Sequence, residues 1–483
     1  MALPFSSHIA KYAIPSELRT PSGADPLRLA SRHELYRTLE GYYFNTLFSE
    51  FGLSALDPDL AKNAATDTVA GIYNPVTSIV DTYVNWTLDG KLGDPTDQTA
   101  DVTVESDNPN LPAAVQRIWD WSNMEREKLL IPFYASLLGD ALLLVTARPR
   151  DGVVDDKVWI EVRHPEIVRH VEFDARRNIV YLELEERVTE QRTVDQAIAR
   201  RSGVLSSMPE TYVQTIIMTK TEFATLKDGK PFDFGNGASR WPNPWGFVPA
   251  KLVQHKSCGE YWGLNAFHES IPVINDLCLE ATICSQLIGQ WLTPQWAVFG
   301  IGRSSSAVSR NGRMWLFENS GDAKTLTASV DFPGAYTHIN AQLKWLAERH
   351  PELNLTKVRD NNVTAGVAIR AMLFDLIKDL QMAQDNYDVG IVAALQMAMT
   401  MAQNIDGTGR SVQGFENLGR FEDGSLSMRF QRPDILPASK LEQAQAAAEI
   451  AQFEQQAQLG GAAGATTADA ASILATRLLN GAP

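Results

Sequence analysis

The apolar positions of the first 150 residues recur with helical spacing. One stripe follows 31–51 and opens with Ser31, whose side chain could cap a helix. A second begins after Asn74-Pro75, with Asn74 as the expected cap. A third covers 112–144 and includes a turn at Gly139-Asp140 into a strand over 141–146. The pattern predicts three helices, each with an apolar face that must be buried against a further surface.

From 157 to 221 the apolar period changes to two. Val158, Ile160 and Val162 alternate with polar residues, and two further runs over 180–184 and 212–218 are separated by polar turns. This alternation predicts an antiparallel sheet after a helical start. The sequence therefore indicates the α+β class, with a first domain of roughly 250 residues.

The middle of the chain predicts two helices around a small β-rich insert. Three prolines make 241–249 a rigid connector, and a strand over 250–255 follows it. A helix with two apolar faces then starts near Ser270 and Pro272. Three short β-rich runs come next, and a helix over 335–350 ends before Pro351. The runs are 296–301, 313–317 and 326–330.

A polar loop over 353–364 precedes an unusually long helix. Its apolar spacing continues for about 35 residues, or about 50 Å at 1.5 Å per residue, whereas the mean globular helix has about 11 to 12 residues. Gly390 lies inside it and is the expected position of a bend. Short β-like runs over 407–430 and an alanine- and glutamine-rich helix over 439–459 complete the pattern.

The charge, the cysteines and the apolar runs of the sequence limit which partners and which environment the protein can have. The 58 acidic and 43 basic residues give a formal charge of −15, opposite to that of a protein that grips nucleic acid by counterion release. Three cysteines without a CxxC pair indicate neither a disulfide framework nor a zinc site. The N-terminus lacks the apolar core of a signal peptide, and no run of about 18 apolar residues predicts a membrane segment.

No catalytic or cofactor signature is found. The chain has no GxxxxGK[ST] and no GxSxG, so neither a phosphate-binding loop nor a nucleophile elbow is predicted. His268-Glu269 begins like HExxH, but Pro272 occupies the place of the second histidine. Asp375, Asp379 and Asp385 could hold a metal, although a solvated helix face is the favoured interpretation. We expect no enzyme activity, cofactor or metal.

Basic residues in two polar segments allow two interpretations. Lys357 and Arg359 lie in the loop over 353–364, and Arg303, Arg310 and Arg313 lie in the β-rich insert. They are either ordinary solubilising residues of surface loops or transient contacts to a phosphate backbone. The residues alone leave both open.

Several short motifs occur in an order that resembles the portal protein of tailed bacteriophages, the head-to-tail connector. The resemblance covers nearly the whole chain, and it depends on the order of the motifs because none of them is catalytic. They are NPVTSIVD over 74–81, the turn at Gly139-Asp140, GFVP over 246–249, the turn over 259–264, AGVAI over 365–369 and DILP over 434–437.

The resemblance implies a portal fold with a wing, a stem, a clip and a crown. The wing would comprise 1–256 and, with the long kinked helix, 365–432. Two stem helices over 257–290 and 335–352 would flank a small β-rich clip over 291–334. The remaining parts would be a tunnel loop over 353–364 and a short crown over 433–483.

The same resemblance implies a ring, typically of twelve subunits, at one capsid vertex of the virion, assembled in the host cytoplasm. Double-stranded DNA would be packaged and ejected through its channel. The large terminase subunit and later the head-tail adaptors would dock on it, and the major capsid protein and scaffold would surround it. Lys357, Arg359, Asn361 and Asn362 would face DNA, and Arg303, Arg310 and Arg313 would face the motor or adaptors.

Two other classes remain open at this point. One is an oligomeric ring unrelated to DNA, and the other is an enzyme whose site is built from scattered residues. A channel that passes DNA must not bind it tightly, because a basic lumen that neutralises many phosphates would act as a brake. The net acidity agrees with such a channel.

Overall fold

The structure is a computed structural model. It describes residues 26–46, 74–93, 101–148, 156–189, 211–234, 237–257, 261–292, 295–299, 314–317, 322–326, 332–354, 373–405, 407–433 and 435.

Runs of helices and runs of strands follow one another along the chain. The first part contains α1 (Pro26–Tyr43), α2 (Val76–Trp86), β1 (Thr103–Glu105), α3 (Leu111–Trp121), α4 (Met124–Glu127), α5 (Leu130–Leu138), β2 (Asp140–Arg148), β3 (Lys157–Arg163), β4 (Val168–Phe173), β5 (Ile179–Thr189), β6 (Thr211–Thr219), β7 (Glu222–Lys227), β8 (Lys230–Pro231), β9 (Arg240–Pro242) and β10 (Ala250–Gln254). The second contains α6 (Ile271–Leu292), β11 (Gln295–Phe299), β12 (Met314–Phe317), β13 (Asp322–Leu326), α7 (Phe332–Arg349), α8 (Phe374–Gln403) and β14 (Arg429–Gln431). The fold contains both helices and mainly antiparallel sheets, as predicted for the α+β class.

A central antiparallel sheet, with strand order β10-β2-β3, separates two apolar cores. Successive side chains of a strand point to opposite faces. Leu143 and Val145 of β2 therefore pack in the larger core with the helices, while Leu142 and Leu144 pack in a smaller core. Burying one such side chain stabilises the fold by about 1.5–3 kcal/mol. The architecture is a layer of helices, the central sheet and a second sheet.

The second sheet has six strands. Its order is β4-β5-β6-β7-β8, with β9 paired to β7, and every pairing is antiparallel. The prediction of an antiparallel sheet over 157–221 is confirmed, but its strands divide between two sheets. β3 pairs with β2 in the central sheet, because the odd-numbered apolar face of β2 meets the apolar face of β3 in the larger core.

The third predicted helix is broken, which corrects the expectation of one helix from residue 112. Asn123 adopts a left-handed conformation, with φ 49°, and divides the segment into α3 and the shorter α4 and α5. The turn at Gly139-Asp140 is confirmed. Gly139 has φ +96°, and a Cβ there would lie 2.5 Å from the carbonyl oxygen of Gly263. Only glycine fits both the backbone and this close approach.

The starts of the first two helices were predicted from candidate capping residues, Ser31 and Asn74. α1 starts at Pro26, so Ser31 lies within the helix, and the expected cap at that serine was wrong. α2 begins at Val76, whose amide donates to Oδ1 of Asn74 at 3.1 Å. The amide group of Asn74 also donates to Oδ1 of Asn45 at 2.8 Å. Asn74 therefore connects the start of α2 with the turn after α1.

The predicted pair of helices around a β-rich insert is present, and we call Ile271–Arg349 the helical arm. Helices α6 and α7 pack against each other, and between them β11 pairs in parallel with β12 and antiparallel with β13. The third strand is Asp322–Leu326, four residues before the predicted run over 326–330. Polar residues in β13 conceal the alternation that would have marked this strand.

The long helix α8 covers the central sheet. It has 30 residues, about 45 Å at 1.5 Å per residue, and contacts β2, β3 and β10. The helix is unbroken at Gly390, so the predicted bend is not needed to explain this glycine. A Cβ on Gly390 would lie 3.0 Å from Cγ1 of Val253 and closer still to Cγ2. The glycine allows the helix to approach β10.

The segment after α8 consists mainly of turns. Five glycines between 407 and 424 have positive φ angles, which interrupt an extended backbone. The predicted β-like runs over 407–430 were therefore wrong, apart from the start of β14. That strand pairs antiparallel with β1, with Thr103 opposite Gln431. This two-stranded sheet joins the early and late parts of the chain outside the helical arm, which we call the body. The crown predicted over 433–483 falls almost entirely outside the described residues.

Candidate functional site

The residues predicted to contact DNA or protein partners lie outside the described ranges. This applies to the loop residues Lys357, Arg359, Asn361 and Asn362 and to the insert residues Arg303, Arg310 and Arg313. Their expected roles stay predictions. The described residues do, however, contain the attachment points of the loop and of the helical arm.

A cavity of about 640 Å³ lies where the helical arm joins the body. Its lining includes Tyr83 of α2, His255 after β10, His350 and Glu352 after α7, and Asp379 of α8. The described chain ends at residue 354 and resumes at 373, and residues within two positions of both points line the cavity. Both ends of the segment 355–372 therefore meet at one place.

Glu352 is the central buried acid of this cavity, with 4% of its surface exposed. The hydroxyl of Tyr83 donates to Oε1 at 2.6 Å, and Nδ1 of His350 lies 3.7 Å from Oε2. Burial acts to raise the pKa of Glu352, but His350 and Tyr83 together hold the pKa below its ordinary value of 4.5. The side chain is therefore a carboxylate at neutral pH. Conversely, burial and this carboxylate raise the pKa of Tyr83, which keeps its proton.

His350 extends this series of polar contacts to the start of the helical arm. Its Nε2 lies 2.6 Å from Oγ of Ser270. Serine, histidine and a carboxylate in this order resemble a nucleophilic triad. Ser270 is completely buried, however, and its amide donates to the carbonyl oxygen of Phe267 at 3.0 Å. Because no substrate carbonyl can reach this hydroxyl, the contacts among Ser270, His350 and Glu352 have a structural role. The arm helix begins directly after Ser270, close to its predicted start, and the Ser270 hydroxyl contacts His350.

His255 forms the opposite wall. Its Nδ1 lies 2.6 Å from the hydroxyl of Tyr387 on α8, and its imidazole meets the ring of Tyr83 edge to face. Burial lowers the pKa of His255 to about 4, with Lys256 as a further cause in the same direction. The histidine is therefore neutral and fixes α8 beside the end of β10.

The three aspartates of α8 do not form one group. Asp375 and Asp385 are exposed, whereas Asp379 is half-buried and borders the cavity. Burial, and then Glu352, raise the pKa of Asp379. The part of the chain that the structure describes has no group of three histidine, cysteine, aspartate or glutamate residues that could hold a metal. The favoured solvated-face interpretation describes Asp375 and Asp385 but not Asp379.

His268 and Glu269, the start of the incomplete HExxH pattern, belong to the attachment of the arm. Glu269 forms an ion pair with Arg349 at the end of α7. Burial lowers the pKa of His268, and Lys256 acts in the same direction. The two residues lie at the cavity edge and connect the two ends of the helical arm.

Sequence patterns did not reveal this cavity. Tyr83 belongs to an apolar helical stripe, and Glu352 follows Pro351 in a short 3-10 helix, Pro351–Asn354, without periodicity. The one available signal was Pro351 itself, which marked the end of the arm. Contacts between residues about 270 positions apart, such as Tyr83 and Glu352, have no local signature.

Among the described helices, one stretch, His268–Ile288, is long and apolar enough to cross a membrane by length and composition, with a mean hydropathy of 1.3. Only 39% of it is buried. A core helix of a soluble protein passes the same test, and two polar positions here have partners. Tyr42 donates to Asn275 at 2.7 Å, and His338 lies 3.1 Å from Glu280. The described residues therefore cover only part of this apolar stretch.

The site thus combines a two-helix arm around a small sheet, a cavity at its attachment and a long helix across the central sheet. Comparisons with protein-family models and with curated proteins give no match for the sequence.

Proposed function

We propose that this chain is the subunit of a phage portal, a ring typically of twelve copies that forms a DNA channel at one capsid vertex. One observation carries the proposal. The helical arm leads within a few residues into the segment 355–372, which returns directly to the 30-residue helix α8 on the central sheet. In the portal interpretation these parts are the stem with its clip, the tunnel loop and the wing helix.

The surface of the arm supports a ring. Tyr336 and Trp345 of α7 are 67% and 43% exposed. They are nine residues apart, which at about 100° per residue places them on opposite sides of the helix. On α6, Ile274 and Leu277 are buried while Ile288 is 46% exposed. Large apolar side chains on opposite sides of a projecting element agree with a neighbouring copy on each side.

Helix α8 has a second exposed apolar surface. Phe374, Met382 and Val389 are 65%, 49% and 67% exposed. Intervals of eight and seven residues place them on one face, which we call the α8 stripe. The stripe fits a contact between subunits at the level of the wing, and Lys378 and Asp385 on the same face would set its register.

The negative net charge of the protein agrees with a channel through which DNA passes rather than with a surface that binds DNA. The formal charge of −15 keeps most of the protein from holding a duplex, which carries one negative charge per about 1.7 Å of its axis. In this proposal Lys357, Arg359, Asn361 and Asn362 provide brief contacts to the passing backbone. Arg303, Arg310 and Arg313 face the terminase motor during filling and the head-tail adaptors afterwards.

The decisive experiment is a mass measurement in solution followed by an averaged top view in the electron microscope. The proposal expects a closed ring with a central opening wide enough for a double helix. A stable monomer or dimer would overturn it and favour the enzyme alternative. A ring without such an opening would favour an oligomer unrelated to DNA.

A further inference from the structure

We infer that the chain Tyr83–Glu352–His350–Ser270, which we call the arm joint, positions both ends of the segment 355–372 relative to the body. The four residues come from α2, from the 3-10 helix after α7, from the end of α7 and from the residue before α6. The arm joint therefore connects both ends of the helical arm with a helix of the body.

The contacts of the joint form one continuous series. The hydroxyl of Tyr83 donates to Oε1 of Glu352 at 2.6 Å. Nδ1 of His350 faces Oε2 of the same carboxylate at 3.7 Å, which favours the tautomer with its proton on Nδ1. Nε2 then accepts the hydroxyl proton of Ser270 at 2.6 Å. The two hydrogen bonds lie at the ends of the series and the 3.7 Å contact between them is electrostatic, so a change at Ser270 reaches Glu352 through the orientation of the His350 imidazole.

The far side of the joint is the start of α8. The 3-10 helix Pro351–Asn354 contacts both α2 and α8. Leu353 packs against the larger core, and Leu373, where the described chain resumes, is 4% exposed. The amide of Leu353 donates to His350 at 3.0 Å, and the amide of Ile377 donates to Leu373 at 2.9 Å. These two amides report on the two ends of 355–372.

The joint is not a maximally stable core contact. Oε2 of Glu352 is buried without a hydrogen-bond partner among the described residues. A buried carboxylate with one open oxygen is less favourable than an apolar replacement of the same shape. Such a group fixes a particular geometry, and it leaves the joint easier to release than the leucine-rich core beside it.

The test uses hydrogen exchange of the purified wild-type protein and of Tyr83→Phe, Ser270→Ala and the double variant. Each single change is expected to raise exchange at the amides of Leu353 and Ile377 by about tenfold. The double variant is expected to raise it by less than the product of the single effects, since both act on one chain.

The matched control is His338→Gln, which removes an exposed contact with Glu280 between the same two arm helices. It is expected to leave both reporter amides unchanged. Multiplying effects in the double variant would show two independent contacts and overturn the joint. Unchanged exchange in the single variants would do the same. Circular dichroism of each variant separates local release from failure to fold.

An effect of the arm joint on genome retention depends on the proposed portal function, whereas the arm joint itself does not depend on it. In assembled particles, Ser270→Ala is expected to keep ring formation and to reduce genome retention. Wild-type protein that forms no ring would remove the portal proposal and leave the exchange experiment valid. Normal retention in a variant with faster exchange would separate the joint from channel function and overturn that consequence.

Discussion

Arg32 of α1 and Asp140 of β2 form an ion pair in which the side chains are 6% and 0% exposed. The guanidinium also lies over the ring of Trp262, 4.3 Å from its centroid. Oδ1 of Asp140 accepts the amide proton of Gly263 at 2.8 Å. The pair thereby joins the first helix, the central sheet and the loop before the helical arm, and it explains why an aspartate follows Gly139.

Arg32→Met should reduce the free energy of unfolding by about 3–5 kcal/mol, because it leaves the buried carboxylate of Asp140 without its cation. Urea unfolding measures the change. Arg37→Met is the control on the same helix, since Arg37 is 74% exposed in its pair with Glu166 and should cost at most about 1 kcal/mol. Equal effects of the two substitutions would contradict the role of the buried pair.

Gly390→Ala should destabilise the protein, although alanine is the better helix former by about 1 kcal/mol. The added methyl group overlaps Val253, and overpacking of this kind costs about 1–3 kcal/mol. Thermal unfolding of Gly390→Ala, Val253→Ala and the double variant measures the interaction. The double variant should be more stable than the sum of the single losses predicts. Strict additivity would show that helix and strand separate without strain.

His255 should make the protein sensitive to mild acid. Burial lowers its pKa from 6.5 to about 4 in the folded state, so the unfolded state binds the proton first. The contribution of His255 to stability is complete above pH 6.5 and declines as the pH falls towards about 4. The total loss is about 3 kcal/mol, at 1.36 kcal/mol per pKa unit. Denaturant unfolding at several pH values should show a shallower decline for His255→Gln than for the wild type.

Val389→Asp in the α8 stripe should prevent ring assembly while the monomer stays folded. A charge in an apolar contact between subunits is strongly unfavourable, whereas the exposed position itself contributes little to the isolated chain. Analytical ultracentrifugation measures the assembly state. Val389→Thr keeps the size of this side chain without adding a charge and should still assemble. Rings of Val389→Asp with normal stability would remove the stripe from the interface.

Deletion of 357–362 should impair filling or retention of the genome and leave ring assembly intact. The segment contains Lys357 and Arg359, the expected brief contacts to the phosphate backbone. Packaged DNA per particle measures the first effect, and electron microscopy measures the second. A loss of the rings themselves would show that this segment belongs to a contact between subunits.

The spacing of apolar residues predicted most helices and strands, because it shows which face of a segment is buried and can be read from neighbouring residues alone. The alternation of Val158, Ile160 and Val162 identified β3, and Gly139 identified the turn before β2. The division of one helix at Asn123 was missed, since a left-handed asparagine needs no change in apolar spacing. The role of Gly390 was also missed, because a glycine that permits a close approach looks like one that permits a bend.

The buried polar contacts could not be predicted. Arg32 and Asp140 are 108 residues apart, and each occurs in a segment where a charged residue is expected at the surface. Burial of a charged side chain depends on its partner, and a single sequence does not show which residues pair. The same reason concealed Tyr83 and Glu352.

Helix α8 covers one face of a sheet whose strands β2 and β3 are complete by residue 163. About 240 residues separate the end of β3 from the end of α8, and a ribosome needs roughly 10–50 s to add them. Throughout that interval the nascent chain presents Leu143, Val145 and Ile160 without their final cover. The nascent chain is therefore prone to aggregation during this interval. Chaperones that bind exposed apolar segments should bind this polypeptide before its last quarter has been translated.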